Sequence, residues 1–458
     1  AVSAPITVGP VSAVSVPATP KAVCGPNSRP ETDLQGRVTP EDHSSGRAAL
    51  GFTCNTELVG SYVVPNTIGT VGGFKVERYV DRAGHECAYY DTTLVFPTNV
   101  FNAQAGVNVL DMSDPTHPVL ATRLVTPAML SPHESLVLNR ARGLLVAVMG
   151  NPGTAPGVVD VYDVSQDCRH PVLQSVTPTG ILGHEGGMAI DGKTFYASSN
   201  AISTLTAVDL SNPLLPQTLA VTDYYTHGLE LSDDGNRAYV AGAVTAGTPP
   251  ALIILDTSDV QSRKVMPAIR EVTRFAWQPI SVPQNAIPIT IKGHPYLVEF
   301  DEFGTLKQVG AARIIDIADE THPQVVSNLR LEVHNPEHFD AIRNDVGASN
   351  GAGGYCAHYC NVPSRVDPGI VACSMSLSGL RVFDIHDPLR PREIAYFNAP
   401  VLPRIVPQTP SLEIPPGASN WPLSRPSFVP ERKEIWYTDG YSGFYAVRLT
   451  NGVWTTPG

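Results

Sequence analysis

Charge is scarce in this chain: only 16% of its 458 residues are Asp, Glu, Lys or Arg. No stretch gathers lysines or arginines into a basic cluster, and 31 basic against 43 acidic residues leave a formal charge of −12. Nucleic acid and anionic membrane surfaces are therefore not expected as partners. No apolar run approaches the roughly 18–20 residues that cross a bilayer, so no membrane span is expected. Amphipathic helices with a 3.6-residue period are missing beyond a turn or two. Familiar catalytic signatures are missing as well: G-x-S-x-G, a P-loop, G-x-G-x-x-G after a strand, and H-E-x-x-H. Serine hydrolase, kinase and dehydrogenase chemistry are disfavoured.

What the chain has instead is turns and short strands. Its 38 glycines and 42 prolines suit many strands joined by tight connections. One phrase recurs: VNVLDMSDPTHP (107–118), VVDVYDVSQDCRHP (158–171), LTAVDLSNPLLP (205–216), LIILDTSDV (252–260), ARIIDIADETHP (312–323) and LRVFDIHDPLRP (380–391), with a degenerate FYAVRLTNG (444–452) closing the series. Each copy alternates β-branched and apolar residues and stops at an aspartate that opens an Asx-type turn. The marker residues Asp111, Asp163, Asp209, Asp256, Asp316 and Asp384, followed by Arg448, lie 46 to 68 apart. A unit of that length is one propeller blade. Seven units predict an all-β fold, a seven-bladed β-propeller over 51–458, with an extended N-terminal arm over 1–50.

The spacing predicts a first blade beginning near Gly84. Blades 5 to 7 carry longer connections at 261–283, 333–354 and 398–424, rich in Pro, Gly and Asn. Long loops in a compact domain are usually functional, and these should cap one mouth of the central channel. Trp277, Phe339, Tyr355 and Trp421 are aromatic candidates for the wall of a substrate tunnel there.

The chain starts at Ala1, Lys is scarce, and Cys24, Cys54, Cys87, Cys168, Cys356, Cys360 and Cys373 form an odd set of seven. We read this as a mature secreted protein, extracellular or at the cell surface, with two or three disulfides. Cys24–Cys54 would tie down the arm. Cys356 and Cys360 bracket His358, and can pair with each other, pair with Cys373, or leave a thiolate ligand.

The strands ending VLDMSDP, VYDVSQD and VFDIHDP resemble those of LVIVD-repeat proteins over about 100–450. The resemblance implies the propeller fold. It says almost nothing of activity, because that family has no single assigned reaction.

The histidines carry the chemistry. Aligned on the marker strand, four units begin with one: SPHESLVLN (His133), LGHEGGMAI (His184), YTHGLELSD (His227) and CAHYCNVPS (His358). The first strand of a blade lines the axis, so four imidazoles would converge at the capped mouth. Such a set suits a transition metal, Fe or Cu ahead of Zn, with positions left for substrate or oxygen. Glu134, Glu185 and Glu230 stand ready to accept the second imidazole N–H. The arrangement resembles the four-histidine iron of carotenoid cleavage oxygenases, an architectural likeness with no matching sequence. The plainer alternative is that duplication has copied a structural histidine that bonds a turn. His334 and His338 (HNPEHFD), four residues apart in a cap loop, would share a helical face and form a weaker candidate acid–base or metal pair. His117, His170, His322 and His386 belong to turns after the marker strand. His85-Glu86 resembles the His-Glu pairs of the next two blades, as a degenerate further copy.

Three functions follow as expectations. The first is a metal-dependent oxidoreductase or oxygenase acting on a small apolar or phenolic substrate. The second is a non-catalytic extracellular binding or cell-surface scaffold; the third is a metal-dependent hydrolase. The sequence leaves the oligomeric state open.

Overall fold

Each repeat folds into an antiparallel sheet whose strands follow chain order from the axis outwards. The computed structural model describes residues 16–455 apart from 66–68, 93–104, 151–153, 200–203, 243–248, 305, 307, 350–352 and 404–418. Blade 1 is Val76–Val80, Glu86–Asp91, Val107–Asp111 and Val119–Leu124. Blade 2 is Val137–Asn139, Leu144–Val148, Thr154–Asp163 and Val172–Gly183; blade 3 is Glu185–Met188, Thr194–Ser199, Thr204–Asp209 and Gln217–Thr222. Blade 4 is Leu229–Leu231, Arg237–Gly242, Ala251–Asp256 and Arg270–Phe275; blade 5 is Val282–Ile291, His294–Glu302, Ala312–Asp316 and Gln324–Leu329. Blade 6 is Ala357–Asn361, Ile370–Met375, Gly379–Asp384 and Arg392–Asn398.

Blade 7 draws on both ends of the chain. Ser427–Val429, Glu434–Asp439 and Gly443–Leu449 take Thr56–Tyr62 as their outermost strand. The ring is thus closed by backbone hydrogen bonds between residues almost 400 apart in sequence, as in Thr56 opposite Leu449. Phe52–Cys54 adds a fifth strand outside blade 6, pairing with Tyr396–Asn398.

The marker aspartates behave as their pattern predicts. Asp111, Asp163, Asp209, Asp256, Asp316 and Asp384 each end a third strand and accept the backbone N–H two residues on, at 2.7–3.0 Å. Between neighbouring blades lies an apolar cluster, such as Val146, Val148, Phe195 and Ala197 between blades 2 and 3. Leu380, Val382, Ile435 and Tyr437 do the same between blades 6 and 7. The core is a ring of such interfaces, so no single blade can bury its faces alone.

Two sequence expectations need correction. The innermost strand of blade 1 is Val76–Val80, ahead of Gly84. Its Lys75, Glu77 and Arg78 broke the apolar alternation and hid it. The 261–283 connection is not all loop, because Arg270–Phe275 is the outer strand of blade 4. Rim strands face solvent on both sides, and Arg270, Glu271 and Arg274 carry no core pattern. Residues 350–352 and 404–418 of the expected cap lie outside the described residues.

The arm packs against blade 6 and the loop before it. Glu31 pairs with Arg381, Lys21 with Glu332 at 2.8 Å, and the Thr19 N–H donates to the Arg330 carbonyl while Thr19 Oγ1 accepts the Arg330 N–H. Disulfides join Cys24 to Cys54, Cys87 to Cys168 and Cys360 to Cys373, leaving Cys356 as a buried thiol. The last bridge links facing residues of adjacent strands. Three disulfides indicate an oxidising environment. No helix among the described residues is long and apolar enough to cross a membrane.

The Cys24–Cys54 bridge encloses 30 residues, for which chain entropy gives up to about 3.6 kcal/mol. The double variant Cys24→Ser, Cys54→Ser should lower the urea midpoint accordingly. An unchanged midpoint would show that the bridge only decorates the arm.

Candidate metal centre

The histidines that the repeat alignment singled out lie at or just before four innermost strands, and the structure brings them together. His133 and His184 have ring centroids 4.3 Å apart, and His184 and His227 are 4.9 Å apart. Blade 1 supplies no histidine here. Phe74 takes its place, with its ring 4.6 Å from His133 and 5.3 Å from His358. All four imidazoles are buried, between 2% and 5% exposed. His133 reaches its position through a left-handed backbone (φ 51°), uncommon for a residue with a Cβ and typical of functional sites.

Their Nε2 atoms converge on a carboxylate. Glu134 Oε2 lies 3.2 Å from His184, 3.3 Å from His227 and 3.9 Å from His133. Its Oε1 is 3.3 Å from His358 Nε2. A second carboxylate, Glu302 at the end of the second strand of blade 5, sits 3.6 Å from His227 Nε2 and 3.2 Å from His358 Nε2. His133, Glu134 and His184 are grouped tightly enough to share one ion, and so are Glu134, Glu302 and His358. Sequence reasoning placed Glu134 behind an imidazole; it lies in the middle of the ring of histidines. It missed Glu302 altogether, since blade 5 has no histidine at its start to draw attention.

The outer imidazole nitrogens show how the rings are oriented. His227 Nδ1–H donates to the carbonyl of Pro283 at 2.9 Å, and His358 Nδ1–H donates to that of Leu423 at 2.9 Å. A carbonyl can only accept, so the proton is on Nδ1 and the Nε2 lone pair of each neutral ring faces the axis. That is the ligating tautomer, held by a neighbouring blade in each case. Backbone oxygens do the work for which carboxylates had been expected.

Glu185 and Glu230 have other partners. Glu185 lies one layer down the channel, 3.1 Å from Lys75 Nζ and accepting from Asn285 Nδ2 at 2.6 Å. Gln284 bridges the same layer to the Tyr359 hydroxyl at 2.9 Å. Gly228 is required there, because a Cβ at that position would stand 2.0 Å from Glu185 Oε2. Glu230 lies one layer further, held by Arg365 at 2.7 Å and Arg425 at 2.6 Å beside a cavity of about 570 Å³. Each lower layer therefore matches its carboxylates with permanent cations. The histidine layer does not: among the described residues no lysine or arginine pairs with Glu134 or Glu302. Two buried carboxylates without a fixed countercharge are costly.

Protons can supply that charge. Burial disfavours the imidazolium at His227, but Glu302 and Glu134 outweigh it and carry the pKa up to about 10. At His358 the same opposition ends with the pKa raised to about 9. His184 goes the other way, lowered by burial despite Glu134. Burial would raise Glu134, yet His133 and the other three imidazoles hold it well below the usual carboxylate range.

The His334/His338 expectation fails on geometry. The two residues end separate 3₁₀ turns, Glu332–His334 and Pro336–His338, broken at an extended Asn335 (ψ 133°). Pro336 disfavours the helical region for the residue before it, so no common face forms. His334 is buried, accepts the Leu331 N–H on Nδ1 at 3.1 Å, and is pushed down to about 3 by burial and nearby Arg330 and Arg381. His117, His170, His322 and His386 are turn residues as expected, each beside an aspartate of its own turn. His85 precedes the second strand of blade 1, so it is no counterpart of the four. Trp277, Tyr355 and Trp421 are buried in the cores between blades and Phe339 packs at the edge of one. Tyr355, Trp421 and Phe339 belong to packed core, and Trp277 borders a cleft between the outer strands of blades 4 and 5 rather than the axial site.

No family model and no curated protein matches this chain. Among solved structures, Kuenenia stuttgartiensis hydrazine synthase superposes with a TM-score of 0.51 at 13% identity, covering 85% of this chain and 98% of that one. A β-propeller domain of Cps50 (Swd1) from Myceliophteria thermophila gives 0.49 at 10% identity, over 84% and 99%. A putative 6-phosphogluconolactonase from Bacteroides fragilis gives 0.45 at 12%, over 85% and 92%. At such identities the likeness concerns the propeller fold alone.

The raised imidazoles predict a pH dependence for protein kept metal-free with chelator. Unfolded histidines titrate near 6.5, so above that pH the folded chain binds more protons than the unfolded one. The stabilisation from His227 and His358 is complete below about 6.5 and fades as pH rises through about 9 and about 10. The chelated protein should lose melting temperature steadily from pH 7 to 10. A flat profile would mean that these imidazolium–carboxylate contacts do not form.

Proposed function

We propose that this chain is a secreted propeller that holds one divalent transition metal ion on its axis, with His133, His184, His227 and His358 as ligands. Glu134 and Glu302 complete the set. One observation carries the reading: the buried Glu134 and the largely enclosed Glu302 face four Nε2 atoms with no fixed cation in their layer among the described residues, while the carboxylates Glu185 and Glu230 below are paired with lysine or arginine. A dication would balance the two negative charges without protonating any ring. The donor chemistry agrees, since imidazole and carboxylate together suit Fe, Cu or Zn. The Asp-terminated repeats support placing the chain among the LVIVD-repeat propellers.

For activity we favour an oxidoreductase or oxygenase on a small apolar or phenolic substrate; a bound iron or copper ion would supply one-electron and oxygen chemistry. The chain's own groups suit that work. Phe74 walls off one side of the site and keeps water from His133 and His358. Glu302 is the member of the set with a face toward the mouth, its side chain 13% exposed against 2% for Glu134. It is placed to take or give a proton there. A hydrolase is the variant in which a bound zinc ion acidifies water. The near-complete burial of all four imidazoles favours a second reading, a scaffold in which the ion only braces the ring.

Elemental analysis of protein purified without added metal should find about one Fe, Cu or Zn per chain. His227→Ala should lose it while circular dichroism stays unchanged. Glu134→Gln should weaken retention by roughly 10–100-fold. Absence of any stoichiometric metal would overturn the proposal, and retention by His227→Ala would overturn the ligand set.

A further inference from the structure

A second polar site lies away from the axis, in the cleft between the outer strands of blades 4 and 5. Arg313 and Arg330 both come to it. Arg313 is fully satisfied: it pairs with Glu299, with Asp301 at 2.8 Å, and lies over the Trp277 ring at 4.4 Å. Arg330 is not. It is 2% exposed, forms no ion pair among the described residues, and leaves its Nε without a hydrogen-bond partner. Its one side-chain hydrogen bond is long, from Nη1 to Asn335 Oδ1 at 3.4 Å. Burial and the neighbouring Arg313 charge, partly offset by Asp301 and Glu337 at longer range, lower its pKa to about 10, so it is still a cation at neutral pH.

A buried guanidinium without a carboxylate is costly to fold. The chain nevertheless holds this one firmly in place. Thr19 of the arm donates to the Arg330 carbonyl at 2.7 Å and accepts its N–H at 2.9 Å, and its hydroxyl reaches the Asn328 carbonyl at 2.9 Å. Beside Arg330 opens a cavity of about 440 Å³, walled by Phe275, Trp277, Pro323 and Val325 and roofed by Val16. That volume is in the range of small-ligand pockets. Gln278, Gln324 and Asn328 add neutral polar groups and Arg313 a paired cation, so the lining has no carboxylate, and Arg330 is its one positive charge without an ion-pair partner among the described residues. Guanidinium groups recognise planar oxyanions by paired N–H donors.

We propose that this cleft binds a small organic carboxylate, with the carboxylate on Arg330 and the apolar body against Trp277 and Val325. The arm forms part of the wall, so a bound ligand and a docked arm support one another. The site is independent of the axial centre and stands whether or not that centre holds a metal.

Benzoate is the probe, with benzamide as its neutral isostere and sulfate as an inorganic anion, each titrated calorimetrically into the full chain. Benzoate should bind saturably at one site, and benzamide and sulfate at least about tenfold more weakly, as expected when a charge-assisted contact or the apolar body is lost. Arg330→Met should remove benzoate binding and, without ligand, melt no lower than the parent, because it deletes an unpaired buried charge. Absence of saturable heat up to about 10 mM benzoate would overturn the proposal, as would benzamide binding equally well. Sulfate binding as tightly as benzoate would overturn the organic assignment. If Arg330→Met fails to fold, the three titrations of the parent protein still decide.

Discussion

Two carboxylates facing four imidazoles, with no lysine or arginine paired to them among the described residues, set the terms for everything at the centre of this ring. Glu134 is fully enclosed and Glu302 only partly open to water, so most of their countercharge must come from protons or from a bound cation. The layers below show what a settled arrangement looks like: Lys75 answers Glu185, and Arg365 and Arg425 answer Glu230. The contrast between layers is what marks the top one as a place for a ligand.

A propeller is well suited to such a centre. Each ligand comes from a separate wedge, and each wedge is held by the apolar interface with its neighbour. The orienting contacts also cross between wedges. Pro283 of blade 5 holds the His227 ring, and Leu423, at the start of blade 7, holds that of His358. The geometry of the site is therefore only as good as the closure of the ring. That closure depends on Thr56–Tyr62 pairing with Gly443–Leu449, and the disulfides anchor strands and arm around it. The arm extends the same economy outward, completing both the rim of blade 6 and the cleft that contains Arg330.

Much of this was legible in the chain because duplication preserves register. A repeated Asp-x-Ser turn marks the end of every third strand, and counting back from it puts His133, His184, His227 and His358 at equivalent places. The Cys24–Cys54 pairing followed from the need to tie down an arm. Other features gave no periodic signal. Lys75 and Glu77 are polar residues pointing into a channel, which reads as a broken strand rather than an axial one. Rim strand Arg270–Phe275 is exposed or half-buried throughout, and only Val272 and Phe275 pack inward, too few to give an apolar alternation. The break between His334 and His338 was available in the sequence, in Asn335-Pro336, because proline restricts the residue before it.

By itself the sequence determined the number of blades, the turns that end their third strands and the four histidines that start four of them, because these depend on local pattern and repetition. Only the tertiary structure decided which groups those histidines face. Glu134 lies at their centre, Glu302 joins from a blade without a histidine, and Glu185 and Glu230 drop to lower layers. The physical reason is that charge balance along an axis is settled among residues brought together from different blades, and no spacing along one chain encodes the depth at which each side chain comes to rest.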